Sequence, residues 1–231
     1  GSEEDDDSGQ SVRKFEGDGD RQYLTGVKVG GKRIAIMVDA SASMLDDTVV
    51  GVIRRRNESD EVKRQSAKWQ RAVRTVDWLT TQIPAGAQIQ LFTFNENSEQ
   101  LGPADKGDWL DGSDPELIND LIDKLKTVVP EKGTSLQNAY AGLAKMEPRP
   151  DNVFLLTDGL PTMGDKPGRR KTVSEAARIK YFDVAESLRP KSIPFNVILF
   201  PMEGDPTAGK AFWVVAQRSK GSFFCPSKDW P

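Results

Sequence analysis

Apolar and polar residues follow two kinds of pattern along this chain, and each predicts a different element. Short, nearly uninterrupted apolar runs are typical of strands that are buried on both faces, as in a parallel sheet. They occur at residues 34–38, 89–94, 153–157 and 195–200. Between these runs, apolar residues recur at helical spacing. The predicted helices cover residues 66–83, 114–128, 136–146, 173–188 and 206–218. This alternation predicts an α/β fold with a mostly parallel sheet.

The connection formed by residues 44–66 is unusually long, and long connections are often functional. A short helix is expected within it at residues 48–55, beside the basic run 54–56. A second basic run lies at residues 169–171. The two runs are either solvated loop charge or an electropositive rim that attracts an acidic partner.

Residues 1–20 differ in composition from the rest of the chain. They contain eight acidic and two basic residues, a net charge of −6, so the remainder carries +3 against a total of −3. A segment with so few apolar residues cannot bury enough surface to fold, so we expect an acidic disordered tail or linker. The opening Gly1-Ser2 is typical of a cloning scar. We expect residues 21–231 to form one domain, with a short hairpin at Gly30-Gly31 ahead of the first long strand.

Composition excludes several kinds of site. The chain has no histidine and a single cysteine, Cys225. These counts exclude a Ser-His-Asp triad, a Cys-His pair, a histidine-bearing zinc site and a disulfide within the chain. No segment approaches the ~20 apolar residues of a membrane helix, so this part of the chain is not expected to insert into a membrane. Residues 26–33 nearly match a phosphate-binding loop, but they precede a strand where that motif requires a helix.

Oxygen-bearing side chains follow the ends of the predicted strands. Asp39, Ser41 and Ser43 come directly after the first long strand, and Asp158 follows the strand at 153–157. Thr134 lies in a tight loop that enters a helix. Because the carboxyl ends of parallel strands share one edge of a sheet, these oxygens can converge there. Hard oxygen ligands suit Mg²⁺, Mn²⁺ or Ca²⁺.

The three segments together resemble the von Willebrand factor A domain family. They are Asp-x-Ser-x-Ser at 39–43, Gly-Thr-Ser at 133–135 and Thr-Asp-Gly at 157–159. In that order they are similar to the metal-ion-dependent adhesion site of the family, and the resemblance extends over residues 23–225. It implies a three-layer Rossmann-like fold, with helices on both faces of the sheet.

The resemblance also implies a role for each oxygen-bearing residue. Ser41, Ser43 and Thr134 would bind the cation directly, whereas Asp39 and Asp158 would lie close to it, one or both through water. Neutral hydroxyl ligands leave most of the charge of the ion unbalanced, and Mg²⁺ keeps several waters. An open position on the ion would then accept a carboxylate from a protein partner.

These expectations predict a metal-dependent protein-binding module with no enzymatic activity. The alternative is a Mg²⁺-dependent enzyme of phosphoryl transfer or hydrolysis on a similar sheet. Such an enzyme needs a nucleophile or general base beside the ion. Asp39 is the only carboxylate placed to attack, and Ser41 stands where the Asp-x-Asp pattern of phosphatases has its second carboxylate.

The expected partner is a protein that supplies an acidic residue, and we expect this domain to be a monomeric part of a larger protein. Nucleic acid is not an expected partner, because nucleic-acid-binding domains are usually far more basic than an excess of +3. Bacterial relatives of this kind are often attached to the cell envelope. By that analogy alone, an envelope, periplasmic or extracellular location is favoured.

Overall fold

The computed structural model of the protein describes residues 29–103, 109–167, 173–227 and residue 230. The predicted acidic tail, the first half of the predicted hairpin and the basic run 169–171 lie outside these residues. The other predicted elements can be compared with the structure.

A single mostly parallel sheet forms the centre of the described region. Its strands run in the spatial order β3-β2-β1-β5-β6-β7, with β4 paired to β2. The strands are β1 (Arg33–Asp39), β2 (Gln88–Phe94), β3 (Ser98–Gln100), β4 (Leu110–Asp111), β5 (Asn152–Thr157), β6 (Phe195–Leu199) and β7 (Phe223–Phe224). Only β3 and β4, at the outer edge, pair antiparallel to their neighbour β2.

Helices cover both faces of the sheet. They are α1 (Val49–Arg55), α2 (Asp60–Arg64), α3 (Ala67–Thr81), α4 (Pro115–Thr127), α5 (Leu136–Ala144), α6 (Glu175–Leu188) and α7 (Pro206–Ser219). One hydrophobic core lies between the sheet and helices α3 and α4. A second lies between the opposite face and helices α5, α6 and α7. The predicted three-layer α/β architecture is therefore confirmed.

The central strand β1 shows why the apolar runs form strands within such a sandwich. Ile34, Ile36 and Val38 belong to the first core, whereas Ala35 and Met37 belong to the second. Successive side chains of a strand point to opposite faces, so a strand covered on both sides needs apolar residues at every position. The run ends at Asp39, where the strand reaches the edge of the sheet.

The long connection after β1 is folded. A 3-10 helix at Ala42–Leu45 leads into α1, which confirms the expected short helix. Helix α2 was not predicted, because its five residues are too few to show a helical period. Its start is marked only by Ser59, whose hydroxyl accepts a hydrogen bond from the Val62 amide at 3.4 Å. Within the described part of the chain, no helix is both long and apolar enough to cross a membrane.

Candidate metal centre

Strands β1 and β5 bring two of the predicted segments to one edge of the sheet. The strands are parallel neighbours, and Val38 of β1 is paired with Leu156 of β5. Asp39 is the last residue of β1, and Asp158 directly follows β5. The turn after β1 therefore lies beside the turn after β5.

Hydrogen bonds connect the side chains of these two turns. The Ser43 hydroxyl donates to Asp158 Oδ1 at 2.8 Å, and the Ser41 and Ser43 hydroxyls are 3.0 Å apart. The Ser41 amide donates to Asp39 Oδ1 at 2.9 Å. The Thr157 hydroxyl donates to Asp39 Oδ2 at 2.8 Å. Four of the five predicted ligands thus belong to one connected network.

The fifth predicted ligand, Thr134, lies in a loop that packs against the first turn. The Ala42 amide donates to the Lys132 carbonyl at 3.1 Å, and the Glu131 amide donates to the Ala40 carbonyl at 2.9 Å. The Thr134 amide donates to the Thr162 hydroxyl at 2.9 Å. These contacts place Thr134 in the wall of the pocket that Ser41 and Ser43 also line.

This pocket has a volume of about 690 Å³. It is lined by the hydroxyl-bearing residues Ser41, Ser43 and Thr134 and by Val49 and Val52 of α1. Four basic residues and two acidic ones also line it. They are Arg56, Lys63, Lys132, Arg178, Glu96 and Glu131.

Asp39 and Asp158 are buried beneath these hydroxyls. Their residues are 0% and 4% exposed. Burial raises the pKa of the Asp39 carboxyl to about 7, and the nearby charge of Asp158 adds to this rise. Burial thus makes the ionised form of Asp39 costly, and a nearby cation would relieve that cost.

Comparison with known proteins decides which family the chain belongs to. The sequence-family model of the von Willebrand factor type A domain matches residues 34–160, which is more than half of the chain. The chain belongs to the von Willebrand factor type A domain family. No match was found among the curated proteins.

Several solved structures share the fold of this A domain. A von Willebrand factor type A protein from Catenulispora acidiphila is 15% identical, with a TM-score of 0.53 over 86% of this chain and 39% of its own. The BatB protein from Bacteroides thetaiotaomicron is 15% identical, with a TM-score of 0.50 over 85% of this chain and 91% of its own. The PilB minor pilin from Streptococcus sanguinis is 15% identical, with a TM-score of 0.51 over 86% of this chain and 57% of its own. The A domain thus spans well under half of the first of these relatives.

Lys68 belongs to the site of this A domain, although sequence reasoning missed it. Its ammonium group donates to Asp158 Oδ2 at 2.7 Å. Lys68, Arg71 and Thr75 follow one another at spacings of three and four residues and are all buried. The sequence gives no signal of this burial, because polar residues at helical spacing are normally expected on the solvent-exposed face of a helix.

A second group missed from the sequence fixes the turn after Asp158. Asp205 accepts a hydrogen bond from the Leu160 amide at 2.7 Å and pairs with Arg178 at 2.5 Å. Arg178 also donates to the Leu160 carbonyl, at 2.6 Å from Nη2. Both partners lie far from Asp158 in the sequence, so no local motif announces them.

The donor set fits a hard divalent cation. Within the described ranges, no group of three or more histidine, cysteine, aspartate or glutamate side chains could hold a metal ion. An ion at this site would therefore depend on hydroxyl oxygens and water as well as the two carboxylates. Mg²⁺ accepts such a set because it keeps several waters, whereas structural zinc sites use four close nitrogen or sulfur ligands.

Proposed function

We propose that this A domain is a metal-dependent protein-binding module that captures an acidic side chain of a partner protein. The cation is Mg²⁺, with Mn²⁺ or Ca²⁺ as substitutes. Ser41, Ser43 and Thr134 would hold it directly, and Asp39 and Asp158 would lie close to it, one or both through water. When bound, the cation supplies a position to which a partner carboxylate binds.

The observation that carries this proposal is the layering of the site. Neutral hydroxyls line the pocket, and the two carboxylates lie buried behind them. A cation on the hydroxyl layer faces the pocket with much of its charge unbalanced, since carboxylates that act through water neutralise it only in part. An incoming anion is therefore attracted to it.

The same layering favours binding over catalysis. Asp39 is wholly buried, and both of its oxygens already accept hydrogen bonds, from the Ser41 amide and the Thr157 hydroxyl. A carboxylate nucleophile or general base must instead reach the substrate within hydrogen-bond distance. The enzymatic alternative would be favoured if the domain hydrolysed a generic phosphate ester with Mg²⁺ and lost that activity on Asp39→Ala.

The rim of the pocket supports an anionic partner. The basic residues that line it are Arg56, Lys63, Lys132 and Arg178. Three of them are already paired with an acid: Lys63 with Asp60, Lys132 with Glu131 and Arg178 with Asp205. Within the described part of the chain Arg56 forms no such pair, so Arg56 is the residue of the rim that would speed the encounter with an acidic partner.

A cation titration combined with partner capture tests the proposal. Mg²⁺ should raise the melting temperature of the domain, and immobilised domain should retain its partner in Mg²⁺ and release it in EDTA. Thr134→Ala should abolish both effects. Thr127→Ala is the matched control, because Thr127 is exposed and its hydroxyl donates to the Lys124 carbonyl within α4. Equal melting temperatures with and without Mg²⁺, or capture that EDTA does not affect, would contradict the proposal.

A further inference from the structure

The ammonium group of Lys68 is fixed at the back of the candidate metal centre. The side chains of Lys68 and Asp158 are 2% and 3% exposed, and the two charged atoms are 2.7 Å apart. Lys68 Nζ also donates to the carbonyls of Ser43 and Asp46, each at 3.1 Å. The Met202 sulfur lies 3.7 Å from it. The ammonium therefore has three oxygen partners, which use all three of its N–H groups.

Asp158 is shared between this lysine and the pocket. Its Oδ2 accepts from Lys68, and its Oδ1 accepts from the Ser43 hydroxyl at 2.8 Å. Ser43 in turn offers its carbonyl to the same lysine. The Lys68 ammonium thus contacts two proposed cation ligands: Asp158 at its carboxylate and Ser43 at its backbone carbonyl.

The charges of the site follow from these contacts. With both carboxylates ionised, Asp39 and Asp158 contribute two negative charges and Lys68 one positive charge. A bound divalent cation would therefore leave the site with an excess of one positive charge. One further anion would make the site neutral.

We propose that Lys68 is a counter-charge built into this site. It neutralises Asp158 when no cation is bound, and it weakens the binding of a cation alone. The complex that contains both the cation and the acidic group of the partner is thereby favoured. This inference rests on the proposed function and deepens it. Lys68 is a positioning residue in this account, because it acts on the cation through Asp158. The cation and the partner should then bind cooperatively, each raising the affinity of the domain for the other by the same factor.

Arg71 provides a matched comparison on the same helix. It is buried one turn after Lys68, and its Nη2 lies 3.2 Å from Asp47 Oδ1. Its guanidinium also lies over the ring of Phe200, 5.4 Å from the centroid. Arg71 thus supports the same connection as Lys68, but through Asp47. A purely structural role for Lys68 would make the two residues equivalent in their effect on cation binding.

Calorimetry of Mn²⁺ binding to three variants, at pH 8 and low salt, distinguishes a counter-charge role of Lys68 from a purely structural one. Lys68→Met and Lys68→Gln remove the charge, and Gln retains hydrogen-bond donors for the carbonyls. Both should bind Mn²⁺ at least about tenfold more tightly than the wild type, because a divalent ion is relieved of a nearby like charge. Arg71→Met should bind Mn²⁺ as the wild type does. Both Lys68 variants should melt earlier than the wild type in EDTA and regain most of the difference in saturating Mn²⁺.

Each outcome of this experiment is informative. Equal or weaker Mn²⁺ binding by folded Lys68 variants would overturn the inference and leave the proposed function intact. Lys68 variants that stay unfolded at saturating Mn²⁺ would also overturn it, since the cation should replace the lost charge. Binding by the Lys68 variants but not by the wild type would support a blocking counter-charge and would contradict the proposed binding of a cation by the wild-type domain without its partner. If no variant and no wild-type protein binds Mn²⁺, this inference and the proposed function both fail.

Discussion

Buried polar groups lie at the amino ends of the parallel strands, here called the amino edge of the sheet, and at their carboxyl ends, the carboxyl edge. The two edges differ in charge. At the amino edge, Asn196 Nδ2 donates to Asn152 Oδ1 at 2.6 Å, and Asn152 Nδ2 donates to the Gly30 carbonyl at 2.5 Å. The Ser222 amide donates to Asn196 Oδ1 at 2.9 Å. This network consists of neutral amides that satisfy one another.

The carboxyl edge is connected in the same way, but by carboxyl groups and an ammonium group. Asp39 and Asp158 are buried there, and Lys68 is ion-paired with Asp158. Hydroxyls separate these charges from an open pocket. A neutral network whose groups satisfy one another contributes only to the stability of the fold. A network with unbalanced charge beside a cavity can also bind an ion and, through that ion, a partner.

The largest expected effect comes from breaking the ion pair at the carboxyl edge. Asp158→Ala leaves the Lys68 ammonium buried without its carboxylate, which costs roughly 3–5 kcal/mol for pairs of this kind. Urea unfolding in EDTA would measure the loss in the free energy of unfolding. The double variant with Lys68→Met should recover a large part of this loss. A double variant no more stable than Asp158→Ala would show that the unpaired charge is not the cause.

The next effect in size is the response of the intact domain to its cation. At a Mg²⁺ concentration of about 100 times the dissociation constant, the free energy of unfolding should rise by about 2.7 kcal/mol. Excess EDTA should reverse the rise completely. A rise that persists in Ser43→Ala would place the responsible ion elsewhere on the molecule.

At the amino edge, Asn196→Ala should be destabilising without affecting the cation. The substitution leaves Asn152 Oδ1 and the Ser222 amide without their partner, which costs roughly 1–3 kcal/mol. The stabilisation by Mg²⁺ should keep the wild-type value, because the two edges lie at opposite ends of the strands. Loss of that stabilisation would mean that the two networks are coupled through the sheet.

The smallest expected effect concerns the basic rim. Arg56 lines the pocket, whereas the neighbouring Arg55 is paired with Asp46 at 3.2 Å. Arg56→Ser should slow partner association by less than about tenfold and reduce its dependence on salt. Stopped-flow association at two salt concentrations would measure this, with Arg54→Ser as the control. Equal salt dependence of association in both variants would show that Arg56 does not attract the partner.

Local sequence patterns were sufficient to predict most of the fold and to identify the polar motif at the ends of the strands. The apolar runs of β1, β2, β5 and β6 are continuous because both faces of the sheet are covered, and the motif residues directly follow two of these strands. What the sequence did not reveal depends on contacts between distant residues. Lys68 is separated from Asp158 by 90 positions, and a lysine in an amphipathic helix is usually expected at the surface. Helix α2 was missed because five residues carry almost no periodic signal.

The most direct test of the central claim is the position of a bound ion. Crystals grown with Mn²⁺ should show one anomalous peak at the carboxyl edge, within direct coordination distance of the hydroxyl oxygens of Ser41, Ser43 and Thr134. At least one of Asp39 and Asp158 should contact it through ordered water, and one ligand position should face the pocket. A peak coordinated directly by both carboxylates, or no peak at this edge in saturating Mn²⁺, would contradict the account.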